Sequence, residues 1–148
     1  QQAILDHPDI RRLIDFSQPL AVLFLSVVHH LADADNPREV LRTIIDRAEP
    51  GSYLCLSQVV CDDPARGTEM SARISASGIP WQTRTPTELG AFLDGLEPVE
   101  PGLVNLADWR PDPDQPPLAP VDPALNPYVG TTKLNRNICE YGGVLRKS

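Results

Sequence analysis

The chain has 148 residues, 41% of them hydrophobic and 22% charged, which fits one globular domain with a real core. Its net charge of −7 repels phosphate backbones, so nucleic acid is excluded as an expected partner. No run of 18 apolar residues is present to span a membrane as a helix, and no charged-then-apolar leader opens the chain.

The first residues are Gln1-Gln2 and the only methionine is Met70, so the sequence reads as a processed chain, a fragment, or a stretch of something longer. Asp6-His7-Pro8 opens a short helix with Ile10, Leu13 and Ile14 on one face. The run Leu20 to Val28 is apolar on both faces, the pattern of a central strand in a covered parallel sheet. A helix follows from about Pro37 to Ala48. Asn36 is its expected cap, Glu39 completes a capping box, and Val40, Leu41, Ile44 and Ile45 make the apolar stripe. Tyr53 to Val60 is a second strand. A strand–helix–strand unit with short loops puts its two strands side by side and parallel.

Further along, a helix is expected over Thr68 to Ser77, with Asp62-Asp63 before it read as solvated loop charge. Thr85-Pro86-Thr87-Glu88 is a second capping box, followed by Leu89, Phe92, Leu93 and Leu96 at helical spacing. A third strand is expected around Leu103 to Leu106. Residues 110–127 are rich in proline and read as an exposed loop. Arg136 to Leu145 is the last strand, broken by Gly142-Gly143. The order implies an α/β sheet with helices on both faces.

Ligands of such sheets bind beyond the carboxyl ends of the strands. His29 and His30 leave the first strand at that end, where a histidine can act as a base or bind a ligand. No third ligand accompanies them at a useful spacing, so no metal is expected. Trp81 reads as either an aromatic facing a substrate or a packed side chain. Cys55, Cys61 and Cys139 match no zinc pattern and read as reduced thiols of a cytoplasmic protein.

The run from Ala21 through His29-His30-Leu31, then Asp33 and Asn36-Pro37, resembles the fourth strand and following loop of Rossmann-like (class I) S-adenosylmethionine-dependent methyltransferases. Ala3 to Pro8, Pro50 to Leu54, Phe92 to Val104, Trp109-Arg110-Pro111 and Tyr141 to Val144 extend the resemblance to a bacterial family of such enzymes, over nearly all 148 residues. The resemblance implies the C-terminal half of a methyltransferase domain. The glycine-rich loop and acidic residues that precede the fourth strand in that fold are not found here.

By resemblance, Ser26, Val27 and His29 lie beside bound S-adenosyl-L-methionine, and His29 or His30 serves as base. The acceptor is expected to be a small molecule or a protein. The alternative is a non-catalytic remnant or interaction domain with the same fold. A nicotinamide-dependent reductase is disfavoured, because no G-x-G-x-x-G is present. Without a first strand beside it, Leu20–Val28 would be left as an unprotected apolar edge.

Overall fold

A computed structural model describes residues 2–110, 112–114, 116, 119–128 and 137–148. Two short helices, α1 (Gln2–Leu5) and α2 (Pro8–Leu13), precede strand β1 (Ala21–Phe24). Helix α3 (Pro37–Arg47) leads to β2 (Tyr53–Cys61), then come α4 (Pro64–Ser75) and α5 (Pro86–Ala91). Two-residue strands β3 (Glu97–Pro98) and β4 (Val104–Asn105) and the long β5 (Ile138–Arg146) complete the sheet.

The expected parallel pair is present, in register Ala21↔Tyr53 through Phe24↔Leu56. The sheet as a whole is mixed. β5 runs antiparallel to β2 over nine residue pairs, and β3 and β4 both pair with β5. In the order β1-β2-β5-β3, β1 is an edge strand among the described residues, not a central one. One face of β1 is also uncovered, contrary to the expectation of a strand covered on both faces: Leu23 is 61% exposed, and Leu25 just beyond the strand is 53% exposed.

The core lies between α3, α5 and one face of β2. Leu41 and Ile45 from α3 meet Leu54 and Leu56 from β2, Leu89 from α5 and Leu145 from β5. Each such burial contributes about 1.5–3 kcal/mol. The α3 stripe is therefore as expected, with Ile44 only half-buried. At the far end of β5, the Lys147 ammonium donates to the carbonyls of Ile45, Asp46 and Ala48, which closes the C-terminal end of α3.

Several local expectations are corrected. β1 ends at Phe24 because Ser26 adopts a left-handed backbone, φ 53°, which turns the chain out of the sheet. Asn36 makes no side-chain cap, so the capping box with Glu39 does not form. A cap needs extended backbone, whereas Asn36 is left-handed and closes the preceding turn through Asn36 N–H to the Asp33 carbonyl. Asp63 is not merely a solvated charge. It caps α4, accepting from Ala65 and Arg66, so that helix starts at Pro64 rather than Thr68. The Thr85–Glu88 box forms as expected.

β5 runs straight through Gly142-Gly143, which therefore do not break it. In the 110–127 stretch, residues 111, 115, 117 and 118 lie outside the described residues, as does Arg136. The described residues there from 112 onward are exposed, and Pro123–Tyr128 forms a short 3-10 helix. The three cysteines are free thiols, Cys61 buried and the other two half-buried.

Candidate functional site

β2 presents its N–H groups alternately to the β1 side, and each needs a partner. β1 serves the first part of the strand. The Leu20 carbonyl accepts from Tyr53 N–H, and at the other end Ser26 N–H donates to the Ser57 carbonyl at 3.1 Å and to the Ser57 hydroxyl at 3.0 Å. Beyond Ser26 the chain has left the sheet, and other groups take over. Val59 N–H donates to His29 Nδ1 at 3.3 Å, and Cys61 N–H donates to the Arg84 carbonyl at 3.0 Å.

This geometry assigns the tautomers of the two histidines. His29 Nδ1 accepts an amide proton, so the neutral ring carries its own proton on Nε2. His30 Nδ1 lies 2.8 Å from the Pro80 carbonyl. A carbonyl cannot donate, so His30 Nδ1 holds the proton and Nε2 of the neutral ring keeps its lone pair. His29 is 3% exposed, whereas His30 is exposed. Of the two candidate bases, only His30 has an accessible lone pair. His29 holds the strand-end turn through its bond from Val59 N–H.

Trp81 covers His29, with ring centres 4.0 Å apart, and meets His30 edge-on at 5.3 Å. Its indole N–H donates to the Thr83 hydroxyl at 2.9 Å. Trp81 is thus half-buried packing for the histidine pair. Burial pushes the His29 ring below the usual histidine range, helped by the nearby His30 and Arg84 and opposed by Glu140.

A stability consequence follows. The unfolded ring protonates near pH 6.5 and the folded ring only at lower pH, so the unfolded state binds the extra proton as pH falls through that window. Unfolding free energy is expected to be level above about pH 6.5 and to fall below it, by at most about 1.4 kcal/mol per pH unit for this one site. Urea titrations from pH 7.5 to 5 on the wild type and His29→Asn would check it. The variant keeps an acceptor for Val59 and should show a shallower acid slope; identical slopes would remove His29 as the source.

The loop after β1 is anchored by Arg84, which no local sequence pattern singles out. The guanidinium is 4% exposed and donates to the Asp33 carboxylate at 2.7 Å, the Leu31 carbonyl at 2.7 Å and the Val28 carbonyl at 3.3 Å. It lies over the Phe92 ring, 5.1 Å from its centre. Glu140 is a second residue that sequence reasoning misses. Its carboxylate accepts from the Ser26 hydroxyl at 2.7 Å, which ties the strained turn to the last strand. An acid between Cys139 and Tyr141 in an apolar strand is the one signal that could have found it. Gln58, on the core strand beneath the turn, is fully buried, and neither amide atom has a hydrogen-bond partner among the described residues.

Ser26 and Val27 are exposed at the tip of β1, Val27 at 43%, with the His29–Trp81 stack behind them. Among the described residues, no group of three His, Cys, Asp or Glu side chains is arranged to hold a metal ion, and no helix is long and apolar enough to cross a membrane.

Comparison with known proteins places this geometry in a family. In the solved structures, the chain is 30% identical to a DUF574 family protein from Streptomyces avermitilis, with a TM-score of 0.75, over 99% of this chain and 51% of that one. It is 35% identical to a protein from Thermobifida fusca named as a candidate methyltransferase, with a TM-score of 0.70, over 99% of this chain and 50% of that one. The chain spans about half the length of each. No curated protein matches it. A family model described as S-adenosyl methyltransferase matches residues 1–148, and the chain belongs to that family.

Proposed function

We propose that this chain works within a longer enzyme that transfers a methyl group from S-adenosylmethionine to a small molecule or protein, and that it supplies one wall of the cleft. The cofactor brings a methyl group already activated by its sulfonium. The protein's task is therefore mainly alignment. Ser26 and Val27 at the tip of β1 line the cofactor side, and His29 holds the turn that presents them. His30 is the general base for an acceptor that must lose a proton, with Nε2 as the accepting atom. The free edge of β1 takes the strand that carries the second wall.

The observation that carries this reading is the His30 ring. Its Nδ1 proton is fixed on the Pro80 carbonyl, which leaves Nε2 exposed as a base. Family membership and the half-length match support the rest.

Two measurements test it. Calorimetry on residues 1–148 is expected to give weak or no binding of S-adenosylmethionine, because half of the ligand's polar groups would be desolvated without partners. Micromolar affinity would overturn the one-wall reading. In the longer form, release of S-adenosylhomocysteine should fall about 10²-fold in His30→Gln. An unchanged rate in a folded variant would remove the base role.

A further inference from the structure

Beyond the carboxyl end of β2 lies a cavity of about 350 Å³, between the first turns of α4 and helix α5. That size is at the lower end of the range for small-molecule sites. Its lining combines an apolar wall from Pro64, Ala91 and Phe92 with the hydroxyl-bearing Thr68 and Thr85 and the carboxylate of Glu88. The cavity adjoins the strand-end loop directly, because Arg84 and Asp33 belong to both.

The charge of the lining decides what it takes. Among the described residues of the lining, Arg84 is the one cation. It is paired with Asp33 and also donates to two carbonyls, so its charge is neutralised locally. Two helix starts face the cavity and would ordinarily attract an anion. Each is already closed by a carboxylate of its own. Asp63 accepts from Ala65 and Arg66, and Glu88 accepts from Thr85 N–H at 2.7 Å and from the Thr85 hydroxyl at 3.0 Å. The capping box fixes the Glu88 carboxylate at the mouth of the cavity, beside an aromatic wall. The net charge of −7 on the chain adds to the same preference.

We infer that this cavity binds the protonated-amine end of a small, ring-sized organic molecule, with Glu88 as the counter-ion. Resting on the methyl-transfer reading above, that molecule is the methyl acceptor. The Thr68 and Thr85 hydroxyl oxygens, whose protons go to the Pro64 carbonyl and to Glu88, accept from its donor groups, and Phe92 packs on its body.

The test uses benzylamine, benzyl alcohol and benzoate as probes, followed by amide shifts of the isotope-labelled protein. Benzylamine should shift the amides of residues 82–88 saturably, benzyl alcohol should bind more weakly, and benzoate should not bind. Glu88→Gln keeps a capping-box side chain, so the fold is retained while the charge is lost. Benzylamine affinity should then fall about tenfold or more. Ala91→Leu, which fills the mouth with an apolar side chain, should abolish binding of both benzylamine and benzyl alcohol. Benzoate binding as well as benzylamine, an affinity unchanged in Glu88→Gln, or no saturable shift with any probe would overturn the inference. If the amine site fails while the longer form still releases S-adenosylhomocysteine, only this cavity assignment falls. If the site holds and no turnover is found, the methyl-transfer reading falls and the cation site stands.

Discussion

Arg84→Met is expected to lower the unfolding free energy by about 2–4 kcal/mol. Methionine fills much of the same volume and keeps the contact with Phe92, so the loss isolates the polar anchor. The carbonyls of Val28 and Leu31 lose a charged donor, and Asp33 loses its partner. Asp33 is largely exposed and can be rehydrated, which keeps the cost below that of a fully buried broken pair. Arg84→Lys should recover only part, because an ammonium cannot span the carboxylate and two carbonyls with the planar fork of a guanidinium. Urea unfolding gives the size of the loss, and amide exchange should show residues 28–33 opening first. A loss below about 1 kcal/mol for the methionine variant would mean that this loop holds itself without Arg84.

Gly142→Ala should be as damaging, by about 3 kcal/mol or more. A Cβ there would overlap the Leu56 carbonyl oxygen and come within 2.8 Å of Ser57 Cα and Cβ. Those are largely backbone atoms of the neighbouring strand, and they cannot swing aside as a flexible side chain would. Relief would require β2 and β5 to separate where their pairing is continuous. Gly90→Ala is the contrast. It lies in α5, where an added Cβ would meet nothing within 4 Å, so it should stabilise by about 0.5–1 kcal/mol. Thermal melts of both variants check the pair. Equal melting points would show that the strands yield more readily than their packing suggests.

Local signals carried most of what was legible in the sequence. The β1–α3–β2 unit followed from apolar periodicity and a proline-led helix start, and the Thr85–Glu88 box from spacing alone. The failures have separate causes. Asn36 carries a capping side chain, but its backbone is committed to closing the turn before α3. Ser26 ends β1 through a left-handed conformation that hydrophobicity does not encode. β3 and β4 are two residues each, too short for a period to show.

Around the turn, His29 and His30 stand out in the sequence because they leave one strand end, whereas Ser26 and Val27 come only from the family resemblance. Arg84 and Glu140 do not stand out, since their partners are distant in the chain: Arg84 reaches Asp33, and Glu140 reaches Ser26. Nor does any local pattern tell which histidine nitrogen is spent on Val59 N–H and which on the Pro80 carbonyl.

The place of β5 between β2 and β3 has a consequence for biosynthesis. β2 emerges from the ribosome long before the strand that will pair with its second side. At about 5–20 residues per second, several seconds pass before Ile138–Arg146 is available. Throughout that interval Leu54, Leu56 and Val60 have no sheet neighbour on that side, and the nascent strand is open to pairing with another chain. The centre of β2 carries Ser57 and Gln58, which make it a poorer template than an all-apolar strand of the same length. Yield during expression should therefore depend on how quickly the last strand is delivered, and slow codons placed between residues 61 and 138 should divert more of the product into aggregates than the same codons placed after residue 146.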